Sequence, residues 1–155
     1  MIVATPEAMA ELGARIAAQL HAGDLVTLNG ELGAGKTTLT RGIGAALGVR
    51  GAVTSPTLVL ARTHPRAEGA PLVHVDAYRL SSALELDDLD IDFAQSIVVV
   101  EWGAGLLDGV AENWLKLDIE RPADGDLDDE VQPRQVTVTG HGERWADLSW
   151  LASDS

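Results

Sequence analysis

The chain has 155 residues, of which 46% are hydrophobic, none is cysteine, and 11 basic residues face 24 acidic ones for a formal charge of −13. That length suits a single domain spanning 1–155 with one sizeable core, and the missing cysteine excludes disulfides, a thiolate zinc site and a cysteine nucleophile. No apolar run reaches the ~18 residues of a membrane span and no basic-then-apolar leader opens the chain, so the expectation is a cytoplasmic protein whose acidity keeps it from gripping a phosphate backbone directly.

In chain order, residues 5–20 predict a helix. Thr5 stands at the N-cap and Pro6 at the first helical position, and Met9, Leu12, Ile16 and Leu20 recur at helical spacing. Residues 24–30, "DLVTLNG", read as a short strand, and 36–48 as a helix stopped by Gly48. Residues 56–63 and 71–78 read as strands, and 82–89 as a helix. The almost wholly apolar "SIVVVEW", 96–102, suits a strand buried on both faces of a parallel sheet. A helix is read over 106–114, alternating strands over 114–120 and 134–140, and an amphipathic helix over 143–152. Between the last two strands, "DIERPADGDLDDE" (118–130) holds seven acidic residues and one arginine, which reads as a flexible acidic loop reaching to about 133. Alternating strands and helices imply an α/β fold, with a mainly parallel central sheet and antiparallel edge strands near the C-terminus.

The most informative stretch is Gly30-Glu31-Leu32-Gly33-Ala34-Gly35-Lys36-Thr37, followed by Thr38. It satisfies G-x-x-x-x-G-K-[ST] at every fixed position, after a predicted strand and at the mouth of a predicted helix. Glycines let successive backbone N–H groups turn inward onto phosphate oxygens, and the helix adds its positive end. Lys36 is then expected at the β- and γ-phosphates, and the Thr37 hydroxyl on Mg²⁺. An ordinary glycine-rich turn has no use for a lysine and a hydroxyl side by side. The pattern therefore predicts a three-layer P-loop NTPase sandwich with ATP and Mg²⁺ as cofactors.

Such a site needs an acid opposite the loop to hold the metal and orient water. Two carboxylates end apolar strands, Asp76 in "LVHVD" and Glu101 in "IVVVE". Parallel strands carry both to the C-terminal edge of the sheet, where the loop lies. Either can serve the metal or the water, so Lys36, Asp76 and Glu101 are the candidate catalytic groups, and Thr37, Asp76 and Glu101 the candidate metal ligands. The Ser-Pro-Thr turn ending at Thr57 is either a loop stopper or a switch sensing the γ-phosphate. Arg79 either faces the phosphates or lies on the surface. Trp102 either covers the site, contacts a partner or is simply buried. His74 shares a strand face with Asp76 and reads as a packed or hydrogen-bonded core residue. The four histidines lack metal-ligand spacing.

Taken together, "GELGAGKTTLTRG", "TSPTLVL", "HVDAYRL" and "VVVEWG", in this order and spacing, resemble the TsaE family over about residues 9 to 103. The resemblance implies an ATPase of bacterial tRNA threonylcarbamoyladenosine biosynthesis that works with TsaD- and TsaB-like partners. It reaches tRNA only indirectly, which suits an acidic chain. Lys36 and Thr37 match the family's phosphate and Mg²⁺ ligands, Asp76 its Walker B-like acid, Glu101 and Trp102 its catalytic Glu-Trp pair, and Thr57 its switch-like threonine. Leu58 departs from an aromatic usual after Ser-Pro-Thr, and Met9 stands where a threonine is common. A small-molecule P-loop kinase is the rival reading, with Arg62 and Arg66 as its thin lid-like cluster. A regulatory GTPase lacks its guanine-reading motif. A nucleotide-gated binding module with incidental hydrolysis is the third class.

Overall fold

Among the described residues seven strands form one mixed sheet, and its order decides what meets at the site. The computed structural model describes residues 2–3, 5–30, 35–49, 61–66, 69–76, 94–101, 113–120 and 134–152. The strands are β1 (Ile2–Val3), β2 (Leu25–Gly30), β3 (Ala61–His64), β4 (Leu72–Asp76), β5 (Ile97–Glu101), β6 (Trp114–Glu120) and β7 (Arg134–His141). Two α-helices are described, α1 (Pro6–Ala17) and α2 (Lys36–Leu47).

The sheet runs β1-β7-β6-β2-β5-β4-β3. Its centre is parallel through the pairs β6/β2, β2/β5 and β5/β4. Antiparallel strands flank it: β7 and then β1 on one side, β3 on the other. The expected α/β class and parallel centre are thus observed, with an antiparallel edge also at β3. β1 was not expected, because two residues carry no readable period; it exists because Ile2 and Val3 pair with Gln135 and Arg134 of β7.

α1 begins as its sequence predicts, with the Thr5 hydroxyl accepting from the Ala8 N–H at 3.0 Å and Pro6 following. It ends at Ala17, three residues before the expected limit. Tight bonds from Gln19 N–H to Ile16 O and from Leu20 N–H to Ala17 O then deliver Leu20 to the core. α2 runs to Leu47, and Gly48 closes it in the left-handed conformation, as expected.

The helices cross at glycines. A Cβ on Gly42 would lie 2.8 Å from the Ala10 Cα, and one on Gly13 would lie 2.9 Å from the Ile43 nitrogen. Only backbones without side chains can approach so closely. Met9, Leu12, Ile16, Leu39 and Ile43 thereby join Val26, Leu28, Ile97, Val99, Leu115, Leu117 and Ile119 in one buried cluster. On the opposite face of the sheet Leu25, Thr27, Val73, Val75, Val98 and Val100 are buried too, so both faces are covered, as a central parallel sheet requires.

The expected C-terminal helix over 143–152 is not formed. Two short 3-10 turns stand there, Glu143–Trp145 and Ser149–Ala152. Between them the Asp147 carboxylate accepts from the Ser149 N–H at 2.9 Å, a local bond that competes with helical propagation. Trp145 meanwhile is drawn into the core against Gly140. Arg144 crosses to the start of β2, where its guanidinium donates to both oxygens of the buried Asp24 carboxylate, at 3.1 and 3.0 Å, and to the Gln19 carbonyl.

The strand expected over 114–120 is formed, and it takes in the first three residues of the acidic segment 118–130. Asp118, Ile119 and Glu120 belong to β6, with Ile119 buried, because they pair with β7. Residues 121–133 lie outside the described residues, as do the expected helix at 82–89 and most of that at 106–114. Asn113 precedes β6 and Trp114 opens it, so the latter range does not continue as helix through its end. Among the described residues no helix is long and apolar enough to cross a membrane.

Candidate functional site

The site is assembled where β2 gives way to α2. Gly30 is the last residue of β2 and Lys36 the first of α2, and Gly35 caps the helix with φ 117° and ψ 10°. An L-side chain rarely adopts that backbone. A Cβ there would also come within 3.1 Å of the Met9 Cε, so α1 packs directly beneath the turn.

Gly35 brings no capping side chain to α2, and the helix's first turn carries no acid. The start of such a helix offers N–H groups and the positive end of the helix dipole to an anion. The Lys36 Nζ donates to the Gly30 carbonyl at 2.5 Å, reaching from the helix back to the end of the strand. Lys36 is only 6% exposed. An ammonium so nearly buried is costly unless anionic or carbonyl oxygens surround it. Thr37 and Thr38 are half-buried in the same turn, while the Thr40 hydroxyl is spent on the Lys36 carbonyl at 2.8 Å.

The acids lie on the neighbouring strands. β5 pairs with β2 on one side and with β4 on the other, with Glu101 opposite Leu28 and Asp76 opposite Glu101. Both acids end parallel strands at the edge from which Gly30 emerges. Strand order separates their positions: Glu101 is one strand from β2, about 5 Å, and Asp76 two strands, about 10 Å. Glu101 is 4% exposed, and the His74 Nε2 stands 3.4 Å from its Oε2. Strand alternation puts His74 and Glu101 on the face covered by α1 and α2, shared with Leu72, Ile97 and Val99.

A second buried histidine, His64, ends β3 next to Leu72, and Arg62 pairs with His74. The His64 imidazole is held below its usual basicity, first by burial, then by His74 and Arg62. Arg66 donates to the Leu47 carbonyl at 2.9 Å and to the Ala70 carbonyl at 3.2 Å. It is therefore tied to the C-terminal end of α2, away from the loop, and not poised as a lid.

The structure thus brings together Gly30, Gly35, Lys36, Thr37, Thr38 and Glu101, and places Asp76 by its strand register. Glu31, Leu32, Gly33, Ala34, Thr57, Arg79 and Trp102 lie outside the described residues. Sequence reasoning put His74 in the core but did not foresee its approach to Glu101. The signal was its position two residues before Asp76, on the same strand face. An uncapped helix start, a buried lysine and a buried carboxylate one strand away fit a polyphosphate with its divalent cation. Lys36 and the first N–H groups of α2 could hold the phosphates, and Thr37 with Glu101 or Asp76 the cation.

Residues 3–129 match the family model described as threonylcarbamoyl adenosine biosynthesis protein TsaE. The chain belongs to the TsaE family. It is 63% identical over 150 residues to a tRNA threonylcarbamoyladenosine biosynthesis protein TsaE of Streptomyces coelicolor, covering 93% of this chain and 99% of that protein. Over 144 residues it is 33% identical to the TsaE protein of Bacillus subtilis, covering 90% and 84% of the two chains. A crystal structure of the Bacillus protein YdiB superposes with a TM-score of 0.73 at 29% identity, covering 98% of this chain and 89% of that one. Family membership ties the chain to threonylcarbamoyladenosine biosynthesis.

Proposed function

We propose that the chain is the Mg²⁺-dependent ATPase of its pathway. In this reading it acts in the cytoplasm on a TsaD–TsaB-like complex that transfers threonylcarbamoyl to the adenosine beside the anticodon. It is not itself the transferase and does not grip tRNA. The observation that carries the reading is the Lys36 ammonium, buried at an uncapped helix start and donating across the loop to Gly30. When ATP binds, Lys36 exchanges the Gly30 carbonyl for phosphate oxygens, a stronger charge-assisted partner. The N–H groups at the start of α2 donate to the same phosphates. Thr37 and an acid from the strand ends, Glu101 or Asp76, hold the cation. Mg²⁺ would neutralise charge that develops on the β- and γ-phosphate oxygens. In this reading Glu101, one strand from the loop, aligns water for attack, and Asp76 serves the cation.

The formal charge of −13 supports a protein partner over nucleic acid. If acids on this chain meet basic groups of the partner, neutralising them weakens the complex more at low salt than at high salt; equal weakening at both refutes the docking model. The engagement of Arg66 at the far end of α2 weighs against the kinase reading, whose lid-like cluster was Arg62 and Arg66.

The deciding experiment is ATP hydrolysis by the purified chain, alone and with its cognate TsaD–TsaB pair, with Lys36→Ala as the blank. A rate that rises with the pair, in step with repeated threonylcarbamoyl transfer, supports the proposal. A rate indifferent to the pair, without effect on transfer, rejects it and reopens the search for an acceptor.

A further inference from the structure

Among the described residues the His74 imidazole lies against the Glu101 carboxylate, with Nε2 to Oε2 at 3.4 Å. The two side chains sit on adjacent parallel strands. Because Asp76 faces Glu101 and His74 faces Val99 in register, the imidazole lies one pleat behind the carboxylate on the same face. The ring is fully buried, and neither of its nitrogens has a hydrogen-bond partner among the described residues. Core histidines normally satisfy at least one ring nitrogen, and an aliphatic side chain would fill this place without leaving polar atoms unpaired. Leu72, Val73 and Val75 do so along the same strand. Packing alone therefore does not account for an imidazole here.

Resting on the proposed role of Glu101, we infer that His74 is a positioning residue for that carboxylate. In the tautomer that carries hydrogen on Nε2, it donates to Oε2 and holds the Glu101 rotamer, leaving the second oxygen free to act. An approach of about 0.5 Å brings 3.4 Å to ordinary hydrogen-bond length. Bonds of this kind commonly tighten only when the reacting complex forms. Burial serves the same end: a carboxylate 4% exposed has little water to orient it, so a fixed donor determines where it points.

The test uses the full chain with Mg·ATP under single-turnover conditions, and compares His74→Gln, His74→Asn, His74→Leu and Glu101→Ala. Affinity for a fluorescent ADP analogue is measured in parallel. Misplacing a group that aligns the nucleophile costs up to about 100-fold, so His74→Leu and His74→Asn are expected to hydrolyse roughly 10- to 100-fold more slowly, with nucleotide affinity changed by less than about twofold. His74→Gln is expected to recover most of the rate, because its amide nitrogen reaches where the imidazole Nε2 does and that of Asn does not. Imidazole ¹⁵N spectra supply a readout independent of turnover: His74 should show the Nε2–H tautomer, and Glu101→Ala should shift its signals. A wild-type rate in His74→Leu beside an inactive Glu101→Ala overturns the inference and spares the role of Glu101. A wild-type rate in Glu101→Ala removes both. Should His74→Leu fail to fold, the Gln-to-Asn contrast and the tautomer decide; equal rates for those two, or an Nδ1–H tautomer, overturn the inference.

Discussion

Gly42→Ala tests whether the crossing of α1 on α2 is as close as described. The methyl group would sit 2.8 Å from the Ala10 Cα and 2.9 Å from its carbonyl carbon, against the roughly 3.5 Å of ordinary carbon contact. The obstacle is backbone, so no side-chain rotation relieves it, and the helices must separate. Separation loosens Met9, Leu12 and Ile16 against Leu39 and Ile43 in the shared core. Overpacking costs about 1–3 kcal/mol, here toward the upper end of about 2–3 because the obstacle is backbone, and is partly offset by the ~1 kcal/mol that alanine gains over glycine within a helix. A net loss of about 1–2 kcal/mol corresponds to a fall in Tm of roughly 2–8 °C for a chain of this size. Urea titration followed by circular dichroism, alongside calorimetry, measures both quantities. Ala10→Gly should not rescue the variant, because the clash is with the main chain of Ala10. An unchanged or raised Tm in Gly42→Ala, or a full rescue by Ala10→Gly, refutes the close crossing.

Lys36→Ala should leave the nucleotide-free Tm within about 4 °C of wild type, a change of no more than about 1 kcal/mol. It should also abolish the stabilisation that saturating nucleotide gives, which at 100 times Kd is about 2.7 kcal/mol for the wild type; thermal shift with and without ADP reads both. Arg144→Ala should destabilise by about 2 kcal/mol, because the buried Asp24 carboxylate keeps only the His21 N–H, at 2.8 Å, of the donors described here. Arg144→Lys should recover only part of that loss, lacking the two-pronged donor. His64 is less basic in the fold than in the unfolded chain, so below about pH 6.5 the unfolded state takes up the proton more readily and stability falls as pH drops; above that both states are neutral and the term vanishes. His64→Gln should flatten the dependence of Tm on pH on the acid side of 6.5, and an undiminished slope would assign it to other groups.

Much of this molecule is local in origin. Thr5 and Pro6 start α1, Gly48 stops α2, and the apolar run of β5 announces burial on both faces, each within a few residues of chain. The glycine loop is legible for the same reason: its chemistry needs a particular backbone next to a particular lysine, and both lie within one short segment. What escaped depends on contacts between distant segments. Ile2 and Val3 become a strand only because β7 offers them an edge, and the helix expected at 143–152 yields to the Asp147 turn and to the burial of Trp145. The sheet order β2-β5-β4, which puts Glu101 closer to the loop than Asp76, is a choice of neighbours that no period along the chain encodes. Arg144 meets Asp24 across 120 positions, and His74 meets Glu101 only because two parallel strands lie in one register. Periodicity and capping are properties of consecutive residues, so the sequence determined most of the elements and the loop motif on which the proposed phosphate site rests. Which acid lies one strand from β2, and which imidazole stands beside that acid, were decided by the packing that minimises exposed apolar surface and unpaired polar groups over the whole chain at once.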